Sequence, residues 1–458
     1  MTCSTIARAA LLSLIFGLVA AASASSAKTS PEKRSTHPLL TVAISGRGTV
    51  TSIPRGISCR SKCRRRFPLR ATVRLTARPY PTWSLWKWRG PCLSRKGSSC
   101  TLRMSKARSV QAVFRLTIAV ESPPHRARVL SGDGHKLLAY LSRLSGDSEP
   151  GVIVGQHCPN QGLVCDDSYF QQNLGALHDQ SGRWPGILDL DYEVERVHPL
   201  DELLSTNRRL IIPYWQAGGL VSISWDPANP WGPDPQNAWR DMAIHYPGSD
   251  LRELLPGGAK RLYWLRSLDR IAAALSDLRD AGVVVLWRPM QEMNGPVYWW
   301  AKKKVSDDHA VYAKLWRDMF DYFNSVKGLD NLLWVFAPIG DPFWSSYPYP
   351  GNGYADVIAP TAYSNDLGFR GYEDALKYGK PVALSEYGPD AWGTDMGADG
   401  SFDDRLYAER LSRDYPRVAY FTVWCSWEGV KMSLADNLYA SELMNDPRVT
   451  TREHVAWR

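Results

Sequence analysis

From Val152 onward, apolar runs of four to six residues alternate with amphipathic stretches of ten or more. That alternation is the pattern of β-α units around a parallel sheet, whose strands are buried on both faces and so read as nearly continuous apolar runs. Eight strands are predicted: Val152–Gly155, Ile187–Leu190, Leu220–Ser224, Val283–Trp287, Leu332–Phe336, Val357–Ala359, Val382–Ser385 and Val418–Val423. Helices are expected between them, among them Leu203–Ala217, Tyr263–Ala281 and His309–Val326, each closed by a glycine at Gly218, Gly282 or Gly328. Eight strands with intervening helices favour a closed (β/α)8 TIM barrel, class α/β, over an open doubly wound sheet. From Leu39 to about Ile118 the period is two instead, as in Leu40-Thr-Val-Ala-Ile44 and Ala71-Thr-Val-Arg-Leu-Thr-Ala77. Half-buried antiparallel strands follow from it, in a small all-β module.

The punctuation between these patterns divides the chain. Residues 1–27 read as an export signal: Arg8, an apolar run from Ala9 to Ala22, then small residues to Ala27. Residues 28–38 form a short polar linker, 39–120 the β-rich module, 121–133 a turn-rich join, and 134–458 the barrel. No segment reaches the ~20 apolar residues of a membrane span, so a secreted, extracellular protein acting as a monomer is expected. Cysteine usage agrees with export. Cys59 and Cys63, Cys92 and Cys100, and Cys158 and Cys165 are close pairs suited to local disulfides. Thiolate ligation of a metal by the first four is the alternative, but their spacings do not repeat a zinc pattern.

Charge is split the same way. Residues 1–120 hold 22 Lys and Arg against one acid, a net of +21, whereas residues 121–458 hold 33 against 45, a net of −12. The basic module could hold an anionic cell-wall polymer, while nucleic acid is not an expected partner of an exported chain. With 19 Trp and 21 Tyr, the chain has rings enough both to fill a core and to offer stacking faces for sugars. The residues after Gly155 are Gln-His-Cys-Pro-Asn, without a glycine-rich phosphate loop, which weakens a nucleotide-binding reading. His157 could touch substrate or sit in the core. No compact acidic spacing suggests a metal, and no cofactor is expected.

In a (β/α)8 barrel functional side chains lie just beyond the C-terminal strand ends. Glu292 follows the fourth strand in Trp287-Arg-Pro-Met-Gln-Glu-Met-Asn-Gly295, and Glu386 closes the seventh in Pro381-Val-Ala-Leu-Ser-Glu-Tyr-Gly388. Either could simply pair with Arg288 or cap a loop. Together they supply what glycosidic hydrolysis needs, one carboxyl that starts protonated and one that starts ionised.

Residues 134–428 resemble glycoside hydrolase family 26 in four segments: Arg288-Pro-Met-Gln-Glu-Met-Asn-Gly295 with Val297-Tyr-Trp-Trp300, Lys380-Pro-Val-Ala-Leu-Ser-Glu-Tyr-Gly388, Gly218-Gly-Leu-Val-Ser-Ile-Ser-Trp225 with Asn229-Pro230, and Asn331-Leu-Leu-Trp-Val-Phe336. The basic module in turn is similar to divergent internalin-type B-repeats, on Gly48-Thr-Val, Trp86-Lys-Trp-Arg-Gly-Pro-Cys92 and Val110-Gln-Ala-Val-Phe114. The first resemblance implies a retaining hydrolase of β-linked polysaccharide, an endo-β-1,4-mannanase first, with β-1,3-xylanase, β-glucanase or a non-catalytic carbohydrate-binding protein as alternatives. It implies Glu292 as acid/base, Glu386 as nucleophile and Tyr363 as the tyrosine that positions the nucleophile. Arg288 and Asn294 would orient the acid/base loop, while Trp299, Trp300 and Trp424 would line the sugar sites, beside Trp225. Four positions depart from the family pattern at the sugar-contacting mouth: Gln291 and Asp226 stand where histidines are usual, Thr361 where an aspartate is common, and Val297 where an aromatic is.

Overall fold

The computed structural model describes residues 128–458, other than 147–150, 159–164, 193–197, 233–245, 302–308, 341–348 and 392–396; before residue 128 it describes the backbone of five strands. Those strands are antiparallel. Thr41–Ser45 and Ser99–Met104 flank Ala112–Ala119, and Leu69–Val73 pairs with Trp86–Gly90. The proposed export signal, the 28–38 linker, Cys59, Cys63, Cys92 and the side chain of Cys100 lie outside the described residues.

The barrel is built from β1 (Val152–His157), β2 (Ile187–Asp191), β3 (Leu220–Trp225), β4 (Val285–Pro289), β5 (Leu332–Phe336), β6 (Val357–Ile358), β7 (Val382–Leu384) and β8 (Val418–Val423). All neighbours are parallel, and β8 pairs with β1 from Tyr420↔Ile153 to Val423↔Gln156, which closes the cylinder. A short strand, Val449–Thr450, also pairs with the start of β1.

All eight predicted strands are present, Leu332–Phe336 and Val418–Val423 with the expected ends and the other six with ends shifted by one or two residues. β4 begins at Val285 rather than Val283 and runs on through Arg288 and Pro289. β1 and β2 each extend to a polar residue, His157 and Asp191, because every side chain along them is buried, polar or not. The helix after β2 spans Leu200–Gln216 and widens at Asn207–Ile211, where the buried Asn207 side chain donates to Ala274 O at 2.9 Å; Pro213, which has no N–H to give, falls just after that wide turn. Arg261–Asp280 and His309–Val326, the latter ending in a wide turn over Tyr322–Val326, are the other two expected helices. Gly218 closes the first of the three with φ 100°, a conformation that would strain a residue bearing a Cβ.

The 121–133 join is partly helical. Ser131 caps a helix over Gly132–Leu144 by accepting from Gly134 N, and Arg128 pairs with Asp356 and donates to Leu332 O at 2.7 Å. The sequence there is rich in turn residues, yet its serine is the helix cap. Between barrel and helices lies an aromatic layer: Trp225 stacks on Trp264 at 5.4 Å, and Trp316 meets Trp334 edge-on at 5.6 Å. Much of the tryptophan content is therefore core. No described helix is long and apolar enough to cross a membrane.

Candidate active site

The C-terminal ends of the barrel strands supply the site. After β6, residues Thr361–Tyr363 continue as a short parallel extension beside Glu386–Gly388, with Thr361 the register partner of Glu386. Thr361 and Tyr363 stand two residues apart and therefore point to the same side. Thr361 Oγ1 lies 2.6 Å from Glu292 Oε1, and the Tyr363 hydroxyl donates to Glu386 Oε2 at 2.8 Å. One strand thus holds both glutamates.

Glu292 reaches the mouth through an unusual turn after β4. Met290 and Glu292 both have positive φ, 52° and 53°, which costs non-glycine residues about 1–3 kcal/mol each. The turn is tied on every side. Met290 N donates to Trp225 O at 2.9 Å, Tyr312 donates to Met290 O at 2.8 Å, Trp300 Nε1 donates to Gln291 O at 2.8 Å, and Glu292 N donates to Ala337 O at 2.8 Å. Asn294 clamps the loop after β5, donating to Ile339 O at 2.9 Å and accepting from Ile339 N at 2.7 Å.

Glu386 is 6% exposed and accepts from two donors, Tyr363 and Arg288 Nη1, the latter at 2.5 Å. Arg288 Nη2 reaches Asp189 Oδ2 at 3.4 Å, and His157 Nδ1 meets the same oxygen at 2.7 Å. Burial pushes Glu386 up to about 7; Arg288 and the Tyr363 bond oppose the rise, and Glu292 adds to it. Burial also raises Glu292, against the Thr361 bond and Arg288. Burial thus holds both carboxyls above their usual values. Two donors, one of them cationic, favour charge on Glu386, whereas a threonine hydroxyl can donate to or accept from Glu292 and so tolerates its protonated form.

The other expected site residues fall into two groups. Trp424 and Tyr363 are half-buried at the mouth, Asn294 is half-buried in its clamp, and Val297 is 41% exposed. Arg288, Trp225, Trp299 and Trp300 are buried; Trp299 donates to Pro227 O at 2.7 Å, and Trp300 stacks on Tyr298 at 4.5 Å. These rings form the wall behind the acid/base turn rather than an open platform. Asp226 and Gln291, 1% and 2% exposed, face each other, with Gln291 Nε2 at 3.4 Å from Asp226 Oδ2. Burial, then Asp191, raises Asp226 well above the usual carboxylate range. The two residues that replace the expected histidines thus pair with one another.

Cys158 and Cys165 are joined, with Cα atoms 5.7 Å apart, and brace the loop after β1. Sequence reasoning missed Asp189 and Asp191. Its available signal was the buried strand Ile-Leu-Asp-Leu-Asp, which puts two acids on one face of β2. Among the described residues, no group of three or more His, Cys, Asp or Glu is arranged to hold a metal.

Residues 130–454 match glycosyl hydrolase family 26. The chain belongs to that family. Mannan endo-1,4-beta-mannosidase of Bacillus subtilis is 30% identical over 296 residues, 63% of this chain and 78% of the relative. Mannan endo-1,4-beta-mannosidase A and B of Caldalkalibacillus mannanilyticus is 32% identical over 352 residues, 74% of this chain and 65% of the relative. Among solved structures, Bacillus subtilis mannanase BCman superposes with a TM-score of 0.61 at 26% identity, covering 72% of this chain and 95% of that one. The family 26 chain is therefore a glycoside hydrolase on a (β/α)8 barrel.

Proposed function

We propose that this glycoside hydrolase is a secreted endo-β-1,4-mannanase that works by double displacement. The carrying observation is the paired support of the two glutamates by one strand: Thr361 on Glu292 and Tyr363 on Glu386, with Arg288 as the second donor to Glu386. Glu386, in its ionised form, attacks the anomeric carbon as Glu292 gives its proton to the departing glycosidic oxygen, leaving a glycosyl ester on Glu386. Water then enters, Glu292 takes its proton, and the new hydroxide breaks the ester with a second inversion, so configuration is retained. No cofactor is needed in this sequence. Tyr363 and Arg288 stabilise the carboxylate before attack and as it leaves. Trp424 offers the half-open ring on which a sugar can stack.

Mannan is the favoured substrate because the similar proteins named above are mannanases. A second reading is β-1,3-xylan or β-glucan, since the Asp226 and Gln291 pair and exposed Val297 depart at the mouth from the family pattern that carries the mannan reading. The experiment is a reducing-sugar assay on mannan, glucomannan, mixed-linkage glucan, β-1,3-xylan and β-1,4-xylan. Fastest release from mannan supports the first reading, fastest release from β-1,3-xylan or glucan the second, and no release from any contradicts both.

A further inference from the structure

Behind the nucleophile lies a buried charged assembly that the two-glutamate mechanism does not use. At its centre is His157, at the end of β1 and wholly buried. Its Nδ1 sits 2.7 Å from Asp189 Oδ2 and its Nε2 3.4 Å from Asp191 Oδ2, so one ring is held between two carboxylates of β2. Its face stacks on Trp424 at 3.7 Å with 11° between planes. Asp189 Oδ2 is the oxygen that Arg288 also contacts, and Arg288 is bound to Glu386. We propose that His157 is a positioning residue, a buried imidazolium that fixes the Asp189–Arg288–Glu386 chain from below and backs the Trp424 ring from behind. The proposal rests on the assignment of Glu386 as nucleophile.

Two buried carboxylates favour the charged ring. A neutral imidazole could offer its one N–H to Asp189 and would leave Asp191 without a counter-charge; the cation donates to Asp189 from Nδ1 and sets its Nε2–H and its charge against Asp191 at 3.4 Å, an ion pair rather than a hydrogen bond. Burial alone would depress His157, but Asp191 and Asp189 outweigh it and raise it to about 9. The charged and titratable groups around it are Asp189 and Asp191 on β2, Arg288 on β4 and Tyr420 on β8, with Trp424 covering the ring face. If the ring loses its charge, Asp189 is left with Arg288 as its cation and draws the guanidinium toward itself. Glu386 then holds its proton more tightly. A cation against one face of Trp424 also polarises the ring whose other parts meet the cleft.

Two measurements on the full chain test this. In ¹⁵N-histidine NMR, the ring signals missing from His157→Gln should show both nitrogens protonated at pH 7 and titrate near 9; a neutral ring at pH 7 overturns the proposal, whether or not the variant folds well enough for kinetics. The second uses an aryl β-glycoside with a leaving group good enough to depart without Glu292, and follows the first turnover against pH. The wild type should lose rate as pH rises through about 9. His157→Gln should lack that fall, run at least tenfold slower at pH 7, and show its acid limb moved to higher pH. Unchanged limbs, or a loss equal at every pH, overturn it. A wild type that cleaves no β-glycoside defeats the functional reading instead, and the NMR titration still decides the state of His157.

Discussion

Tyr363 and Thr361 give the residue scale its sharpest test, because each touches one carboxyl. The Tyr363 bond lowers Glu386, so Tyr363→Phe should raise it and move the acid limb of kcat/KM upward from about 7. The Thr361 bond lowers Glu292, so Thr361→Val should raise Glu292 and move the alkaline limb upward. Full pH profiles of both variants check the signs, since kcat/KM reports groups of the free enzyme. Glu292→Gln should cut turnover of natural polysaccharide by about 10²–10⁴, the usual worth of a positioned acid. It should cut turnover of substrates with strongly acidic leaving groups much less. The places of Glu292, Glu386 and Arg288 at the mouth were legible in the sequence because each sits in or next to an apolar strand, whereas Tyr363 came only with the family resemblance. Asp189 and Asp191 were not legible, since the partners of Asp189 lie 32 and 99 positions away and only the successive parallel pairing of β1 with β2, β2 with β3 and β3 with β4 brings them together.

At the scale of elements, strands were legible because both faces of a parallel barrel are buried and the apolar runs stand out. Their exact ends were not, since His157, Asp191 and Arg288 are polar and yet extend the strands. The Thr361–Tyr363 extension was hidden for a related reason: Pro360 interrupts β6, and a three-residue strand has too few positions to show a period. Tryptophan counts likewise gave no hint of which rings serve the core. The loop after β1 is short and closed by Cys158–Cys165, so replacing both cysteines by serine should cost about 2 kcal/mol of stability, in the chain-entropy account of small closed loops. Thermal unfolding with and without the double substitution measures it, as a fall in Tm of a few degrees. Activity at 25 °C should change little, because neither cysteine touches Glu292 or Glu386.

Across the whole molecule the charge division is the dominant feature, +21 over the first 120 residues and −12 over the rest. The catalytic fold lies within the acidic part, and the family match begins only at residue 130. A chain shortened to residues 128–458 should therefore hydrolyse soluble oligosaccharides as the full chain does. It should lose retention on an anionic wall polymer, and retention by the full chain should fall as salt screens the exposed charges. Co-sedimentation of both chains at low and high salt reads this directly; equal retention would place the binding in the barrel.

The central claim is that Glu386 forms a covalent bond to the sugar while Glu292 handles the proton. Glu386→Ala, assayed on an activated aryl β-glycoside with and without azide, tests it most directly. The expected result is a loss on the order of 10⁴-fold or more without azide, and partial recovery with azide yielding the glycosyl azide of inverted configuration. Turnover near wild type without azide would contradict the assignment.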